Sequence, residues 1–227
     1  MKNNSINIKV LKGLYKGGDI YVIASGSSLN YVKKDFFDNK ITIGVNLIWR
    51  FFNCNYVVKH HNGGQAVIDN GLKLVSSRND CCTPDMPNSY KGLYYYYNHE
   101  NKRQVTNDID YSFLDSEDSL VVGRTTVIDA MSFAYFIGAK NIILCGADGG
   151  CINGDVNLKG YYEDTRKTNP QEMHHVRITN ILIKEFADVL RKKGIGVYSL
   201  NPFVDFQLEG NKFDIMPRHP KRHMKHK

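Results

Sequence analysis

The sequence predicts an α/β fold with a mostly parallel sheet flanked by helices, on three observations. Short apolar runs of strand length alternate with stretches of helical periodicity, the pattern that successive βαβ units leave in a chain. Each run ends in a polar or glycine-rich turn on its C-terminal side, which is where open α/β sheets bind ligands. One stretch, Gly123 to Gly150, holds a complete helix, strand and turn.

That stretch is the organising unit. Thr125 or Thr126 can cap the helix, Asp129 follows Thr126 by three residues as in a capping box, and no proline interrupts the run to Ile137. Gly138 stops it. Asn141-Ile-Ile-Leu-Cys145 is continuously apolar, which suits a strand covered on both faces, and Gly146-Ala-Asp-Gly-Gly150 forms the turn beyond it.

Taken in order, the first core strand is Asp19 to Ser25, followed by the small-residue turn Gly26-Ser-Ser-Leu-Asn30. Asn30 is placed to cap a short helix over Tyr31 to Phe37, with Val32, Phe36 and Phe37 on one face. Lys40 to Asn46 and Tyr56 to His61 read as the second and third strands. If the sheet is parallel, the three strands deliver Ser27 and Ser28, Asn46, and His60, His61 and Asn62 to one edge. Leu72 to Ser76 and Leu93 to Tyr97 read as strands, and the four tyrosines suit a strand partly covered on both faces better than a base-stacking platform. Residues 151–170 form a long polar connection, read as a lid. Gln171 to Lys193 shows Ile178, Leu182, Phe186, Val189 and Leu190 on one helical face, with His174 and His175 in its first turn and Gly194 as its stop; Gly196 to Pro202 supplies the last strand.

Composition narrows the classes. The 227 residues are 42% hydrophobic, enough for one domain with a sizeable core, taken as residues 1–217. No run of about 18 apolar residues occurs and the N-terminus lacks a signal-peptide core, so a cytoplasmic protein is expected. The five cysteines have no CxxC spacing, which supports neither a disulfide framework nor a zinc ribbon. Much of the net charge of +7 sits in a basic tail, residues 218–227. Such a tail is ordinarily solvated, though it can touch an anionic membrane or glycan; no specific nucleic-acid binding is expected.

Several residues can carry chemistry. Gly26-Ser-Ser-Leu places backbone N–H groups at a helix start, favourable for a phosphate or carboxylate, yet it is neither a dinucleotide fingerprint nor a P-loop. Arg124 offers a planar guanidinium at the start of the central helix. His174 and His175 suit a general base. The two adjacent histidine pairs, His60-His61 and His174-His175, lack the spacing of a zinc site, so no metal is assigned.

The order of these motifs resembles the bacterial sialyltransferases of glycosyltransferase family 42, and more loosely the motility accessory factors and hydroxymethylpterin pyrophosphokinases related to them, over roughly residues 17 to 203. The resemblance implies a Rossmann-like domain of modified GT-A type, with a CMP-activated nonulosonic acid as donor, a glycan or glycolipid as acceptor and no resident cofactor. It places Gly26, Ser28, Leu29 and Asn46 on the nucleotide sugar, with Ser27 standing where the family has proline. A third-strand contact falls to His60, His61 or Asn62. It also assigns Arg124 to the active site, Gly146-Ala-Asp148 to the turn beside it, and Tyr161 or Tyr162 to the donor phosphate. His175, with His174 as its neighbour, matches the general base. A homo-oligomer and a position on the inner membrane surface are compatible with this reading. Two other readings stay open: an ATP- and Mg²⁺-dependent pterin pyrophosphokinase, and a nucleotide-binding module without turnover.

Overall fold

The computed structural model describes residues 5–59, 73–77, 93–98, 109–149, 155–161 and 170–200. Eight strands are seen among them: β1 (Ser5–Asn7), β2 (Gly18–Ile23), β3 (Ile41–Val45), β4 (Tyr56–Val58), β5 (Lys73–Ser77), β6 (Leu93–Tyr97), β7 (Ala139–Cys145) and β8 (Gly196–Ser199). Two α-helices accompany them, α1 (Thr126–Phe136) and α2 (Pro170–Lys192). All strands pair in parallel in the order β1-β6-β5-β4-β3-β2-β7-β8. The predicted fold class is therefore the observed one.

The order has a direct consequence for function. From β2 the chain steps outward through β3, β4, β5 and β6, then returns to the other side of β2 for β7 and β8. The direction of winding thus reverses between β2 and β7. At such a switch point the connections leave for opposite faces and open a crevice at the carboxyl ends of the strands.

The helices pack on one face. α1 lies against β7, β3, β2 and β4, and α2 packs beside α1 and over β8. Nearly every residue of α1 is buried, including Ala130, Met131, Phe133 and Ala134 at 0% exposure, so it is a core helix covered on all sides. On the sheet face, Tyr56 meets Phe133 edge-on at a centroid distance of 5.3 Å. On the opposite face Tyr21 meets Phe36 and Phe37 at 6.3 and 6.2 Å. In β6, Tyr95 and Tyr97 are buried while Tyr94 and Tyr96 are half-buried, the strand behaviour expected of the tyrosine run.

Three local expectations change, and one strand appears that no expectation covered. No single helix spans Tyr31 to Phe37; two 3-10 turns, Ser27–Tyr31 and Lys34–Phe37, replace it, and Asn30 caps neither of them. Its carboxamide oxygen instead accepts the Lys159 N–H at 3.0 Å, a partner 129 residues away. Thr125 rather than Thr126 caps α1, accepting from the Val127 N–H, so Asp129 is not in capping-box register. β7 begins at Ala139, directly after Gly138 at φ +100°, because that glycine turns the chain from helix to strand without a loop. Finally, β1 had no sequence signal. Three residues with one apolar side chain carry no periodicity, and only pairing with β6 defines them.

The helix ends follow their predicted stops. α2 runs to Lys192, Gly194 adopts φ +83°, and Arg191 reaches forward to the Val197 carbonyl at 3.2 Å. Leu182, Ile183, Phe186, Ala187 and Leu190 are buried, with Ile178 and Val189 packed at the margin of the core. Among the described residues no helix is long and apolar enough to cross a membrane.

Candidate functional site at the carboxyl edge of the sheet

The switch point brings the first and the central turns together. Beyond β2, the Gly26 N–H donates to the Gly146 carbonyl beyond β7 at 2.7 Å. Ser28 then donates twice to Asp148, its N–H to Oδ2 at 2.7 Å and its hydroxyl to Oδ1 at 2.6 Å. Both partners are buried, Ser28 at 1% and Asp148 at 3% exposure, so these charge-assisted bonds act where water competes little. Gly26 has to be glycine here: a Cβ would run into the Gly146 carbonyl oxygen and, at 2.6 Å, the carboxyl carbon of Asp148. Gly146 sits at φ +69°, in the left-handed region.

This arrangement changes the chemistry expected of the first turn. The donors of Ser28, which the sequence offers to a ligand anion, already hold the protein's own carboxylate. The turn is also a 3-10 helix of five residues, too short for an appreciable dipole. Ser27 is 0% exposed and its hydroxyl has no hydrogen-bond partner among the described residues. Leu29 is packed in the core.

Residues 155–161, within the connection read as a lid, are fastened over this turn. The Ser25 hydroxyl donates to Asn157 Oδ1 at 3.1 Å, the Leu158 N–H donates to the Ser25 carbonyl at 2.7 Å, and Gly26 bridges Asn157. Tyr161 closes this wall. It is 6% exposed, its ring stacks on Phe51 at a centroid distance of 6.0 Å, and its hydroxyl accepts the Leu47 N–H at 3.3 Å. Tyr161 thereby ties residues 155–161 to the exit of β3. Tyr162 lies outside the described residues.

Asn46 occupies that exit at φ +55°, a left-handed conformation that asparagine tolerates better than most side chains. Its N–H donates to the Val58 carbonyl at 3.0 Å, which extends the β3–β4 ladder by one bond. The residue is half-exposed, and its carboxamide makes no hydrogen bond to the described residues. Among the described residues predicted to bind, Asn46 is the one whose polar group lies at the edge without a hydrogen-bond partner. His60, His61 and Asn62, which follow β4, lie outside the described residues.

Arg124 is exposed beside the N-cap of α1, at the same edge. The loop that carries it is secured by buried polar groups of α1 itself. Ser132 Oγ accepts the Val121 N–H at 2.9 Å and Asp129 Oδ1 accepts the Gly123 N–H at 3.1 Å. Gly123 admits this approach because a Cβ there would meet the Ile128 side chain at 2.6 Å. Asp129 is therefore a positioning residue for the Arg124 loop. His174 and His175 fall at the fifth and sixth residues of α2, counted from Pro170, in its second turn rather than its first. The second turn is beyond the strongest part of the helix dipole. The described side chains of α2 begin at Ile178, so those two side chains lie outside them.

Two features escaped sequence reading. Lys59, next after β4, is only 5% exposed, and burial lowers its pKa from the ordinary lysine value, aided by the nearby positive charge of Arg50. Asn157 and Leu158 dock on Ser25. No local periodicity marks either feature. Among the described residues no group of three or more His, Cys, Asp or Glu side chains is arranged to hold a metal ion.

A cavity of about 380 Å³ lined by Phe37, Asp38, Asn39, Lys40, Thr42, Asn53, Cys54 and Asn55 lies at the opposite, amino-terminal edge of β3 and β4. It contains none of the predicted site residues. The carboxyl edge is the stronger candidate because the switch point, the open carboxamide of Asn46 and the Arg124 loop converge there.

No protein-family model matches the chain, and no curated protein matches it.

Proposed function

We propose that the chain is a glycosyltransferase of sialyltransferase type, transferring a nonulosonic acid from a CMP-sugar to a glycan acceptor. The observation that carries the reading is the switch point between β2 and β7, with Asn46 and the Arg124 loop at the same sheet edge. A nucleotide donor laid across this edge meets Asn46 at the end of β3 and the clasped turn of Ser28 and Asp148 beneath it.

The chemistry follows from the residue types. An acceptor hydroxyl attacks the anomeric carbon as the bond to the CMP phosphate breaks, so one proton must leave the acceptor and negative charge must be held on the departing phosphate. His175 takes the proton, histidine being the residue type suited to a general base near neutral pH. Arg124 holds an anionic group of the donor. Tyr161, whose hydroxyl accepts from Leu47, serves by keeping the β3 exit in place around Asn46.

The test is a thermal-shift screen of nucleotides and CMP-sugars with and without EDTA, followed by an assay for sugar transfer or CMP-sugar hydrolysis. CMP and its sugars should raise the melting temperature equally well in EDTA, since a ligand that prefers the folded state stabilises it. Stabilisation specific to ATP with Mg²⁺ would favour the pyrophosphokinase reading. CMP binding with no turnover on any CMP-sugar would favour the binding module.

A further inference from the structure

The donors of the Gly26 turn that face Asp148 are already engaged, so an anionic ligand at this edge needs its positive partner elsewhere. Lys59 supplies one. Its backbone is locked into the sheet, with its N–H on the Val75 carbonyl at 3.1 Å and its carbonyl accepting the Ser76 hydroxyl at 2.9 Å. Tyr56 faces α1, as its contact with Phe133 shows, and strand alternation therefore sends Lys59 to the opposite face with Val57. Asn46 is its neighbour across the ladder, through the bond from its N–H to the Val58 carbonyl.

What distinguishes Lys59 is burial without compensation. It is 5% exposed, yet its ammonium has no hydrogen-bond or ion-pair partner among the described residues. The charge that acts on it is Arg50, at the end of the 3-10 helix Ile48–Arg50, and that charge is also positive. Burial of the side chain desolvates this ammonium at a cost, and a second cation nearby raises the cost. A ligand anion removes both penalties at once. Two cations of different shape, one compact and one a planar fork, suit a group with several charged oxygens.

The geometry points to Lys59 and Arg50 as the seat of a phosphate group, at the carboxyl edges of β3 and β4 and on the sheet face opposite α1. Under the transferase reading, on which only the identity of the nucleotide depends, this is the phosphate of the CMP donor. Lys59 is then a binding residue, two strands and about 10 Å from the Gly26 turn, with Asn46 between them.

The experiment titrates the full chain with inorganic pyrophosphate, CMP, AMP and cytidine, by calorimetry and thermal shift, in wild type, Lys59→Met and Lys59→Arg. Pyrophosphate and CMP should bind wild type more tightly than cytidine does. Lys59→Met should weaken both by about tenfold to a hundredfold, the range for losing a hydrogen bond to a charged group. The ligand-free Lys59→Met protein should melt at the same temperature or a few degrees higher, and Lys59→Arg should retain binding. Equal affinities in wild type and Lys59→Met overturn the proposal, as does a wild type that binds neither pyrophosphate nor CMP better than cytidine. If pyrophosphate depends on Lys59 while CMP has no advantage over AMP, the phosphate seat stands and the CMP-sugar reading falls. If Lys59→Met does not fold, the amine resonance of Lys59 in ¹⁵N-labelled wild type reads the contact directly. A shift on adding pyrophosphate supports it, and no shift overturns it.

Discussion

Ser28 and Asp148, 120 residues apart in sequence, form a two-point clasp in which one residue's N–H and hydroxyl meet both oxygens of the other's carboxylate. The clasp joins the exits of β2 and β7, the two strands between which the winding of the sheet reverses. An internal carboxylate therefore fills the position that a ligand phosphate takes in many turns of this kind. The turn is held rigid before any ligand arrives, and the ligand's charge must be met by other residues.

Ser28→Ala removes one of the two bonds and leaves part of a buried carboxylate without a donor. The expected loss is about 1.5–3 kcal/mol, the usual worth of a hydrogen bond to a charged group. Asp148→Asn puts an NH₂ group against Ser28's donors and should cost at least as much. Urea denaturation of both variants checks this, and a loss below about 0.5 kcal/mol for Ser28→Ala would contradict the burial of the clasp.

Gly26→Ala tests the same junction by shape alone. At φ −65° the backbone suits any residue, so a glycine-to-alanine change would ordinarily stabilise by about 0.4–1 kcal/mol. Here the added methyl meets the Gly146 carbonyl and the Asp148 carboxylate, and the expected effect is a loss of about 1–3 kcal/mol from overpacking. A stabilised variant, read by melting temperature, would show that the two turns separate easily.

The Lys59 ammonium should make stability depend on pH with a defined sign. Its pKa is lowered in the folded state, by burial first and by Arg50 second, relative to 10.5 in the unfolded chain. Between those two values the unfolded state binds more protons, so this residue's contribution to stability rises with pH. Wild type should be at a disadvantage to Lys59→Met at neutral pH, and the gap should narrow as the pH approaches 10.5. Groups with the opposite sign, such as Cys54, whose thiol is pushed up to about 12 by burial, are common to both proteins and cancel in the difference. Urea midpoints of the pair from pH 7 to 10 measure it; a gap that does not change with pH would remove the electrostatic cause.

Under the proposed transferase function, His175→Ala should abolish transfer or CMP-sugar hydrolysis while CMP still raises the melting temperature to within about 1–2 °C of its effect on wild type, because a general base would act on the acceptor rather than the nucleotide. His174→Ala is the matched control on the next position of α2. If His174→Ala is the inactive variant, the base is the neighbouring residue; if both remain active, the base lies elsewhere on the chain.

Local order was legible in the sequence. β2, β3, β4, β7 and β8 follow from apolar runs of strand length, α1 from its threonine cap and proline-free run, α2 from helical periodicity, and the ends of both from the stops at Gly138 and Gly194. These are nearest-neighbour effects, set by side-chain period and backbone conformation within a few residues. Candidate positions at the strand ends, Asn46 and Gly146 to Asp148 among them, were legible for the same reason, since a parallel sheet sends every strand end to one edge.

Only the tertiary structure chose the partners. Asp129 stands three residues after Thr126 as a capping box requires, yet it accepts from Gly123, because Thr125 is the cap and the register differs by one residue. Asn30 has the character of an N-cap and serves Lys159 instead. Asp148 reads as a ligand-binding residue and turns out to hold Ser28, while Lys59 reads as an ordinary polar strand end and is buried without a counter-charge among the described residues. The physical reason is the same for Asn30 and Asp148, whose partners lie 129 and 120 residues away. A polar side chain's period along the chain records which way it points, whereas its partner is decided by parallel crossovers that bring residues more than a hundred positions apart into hydrogen-bond range.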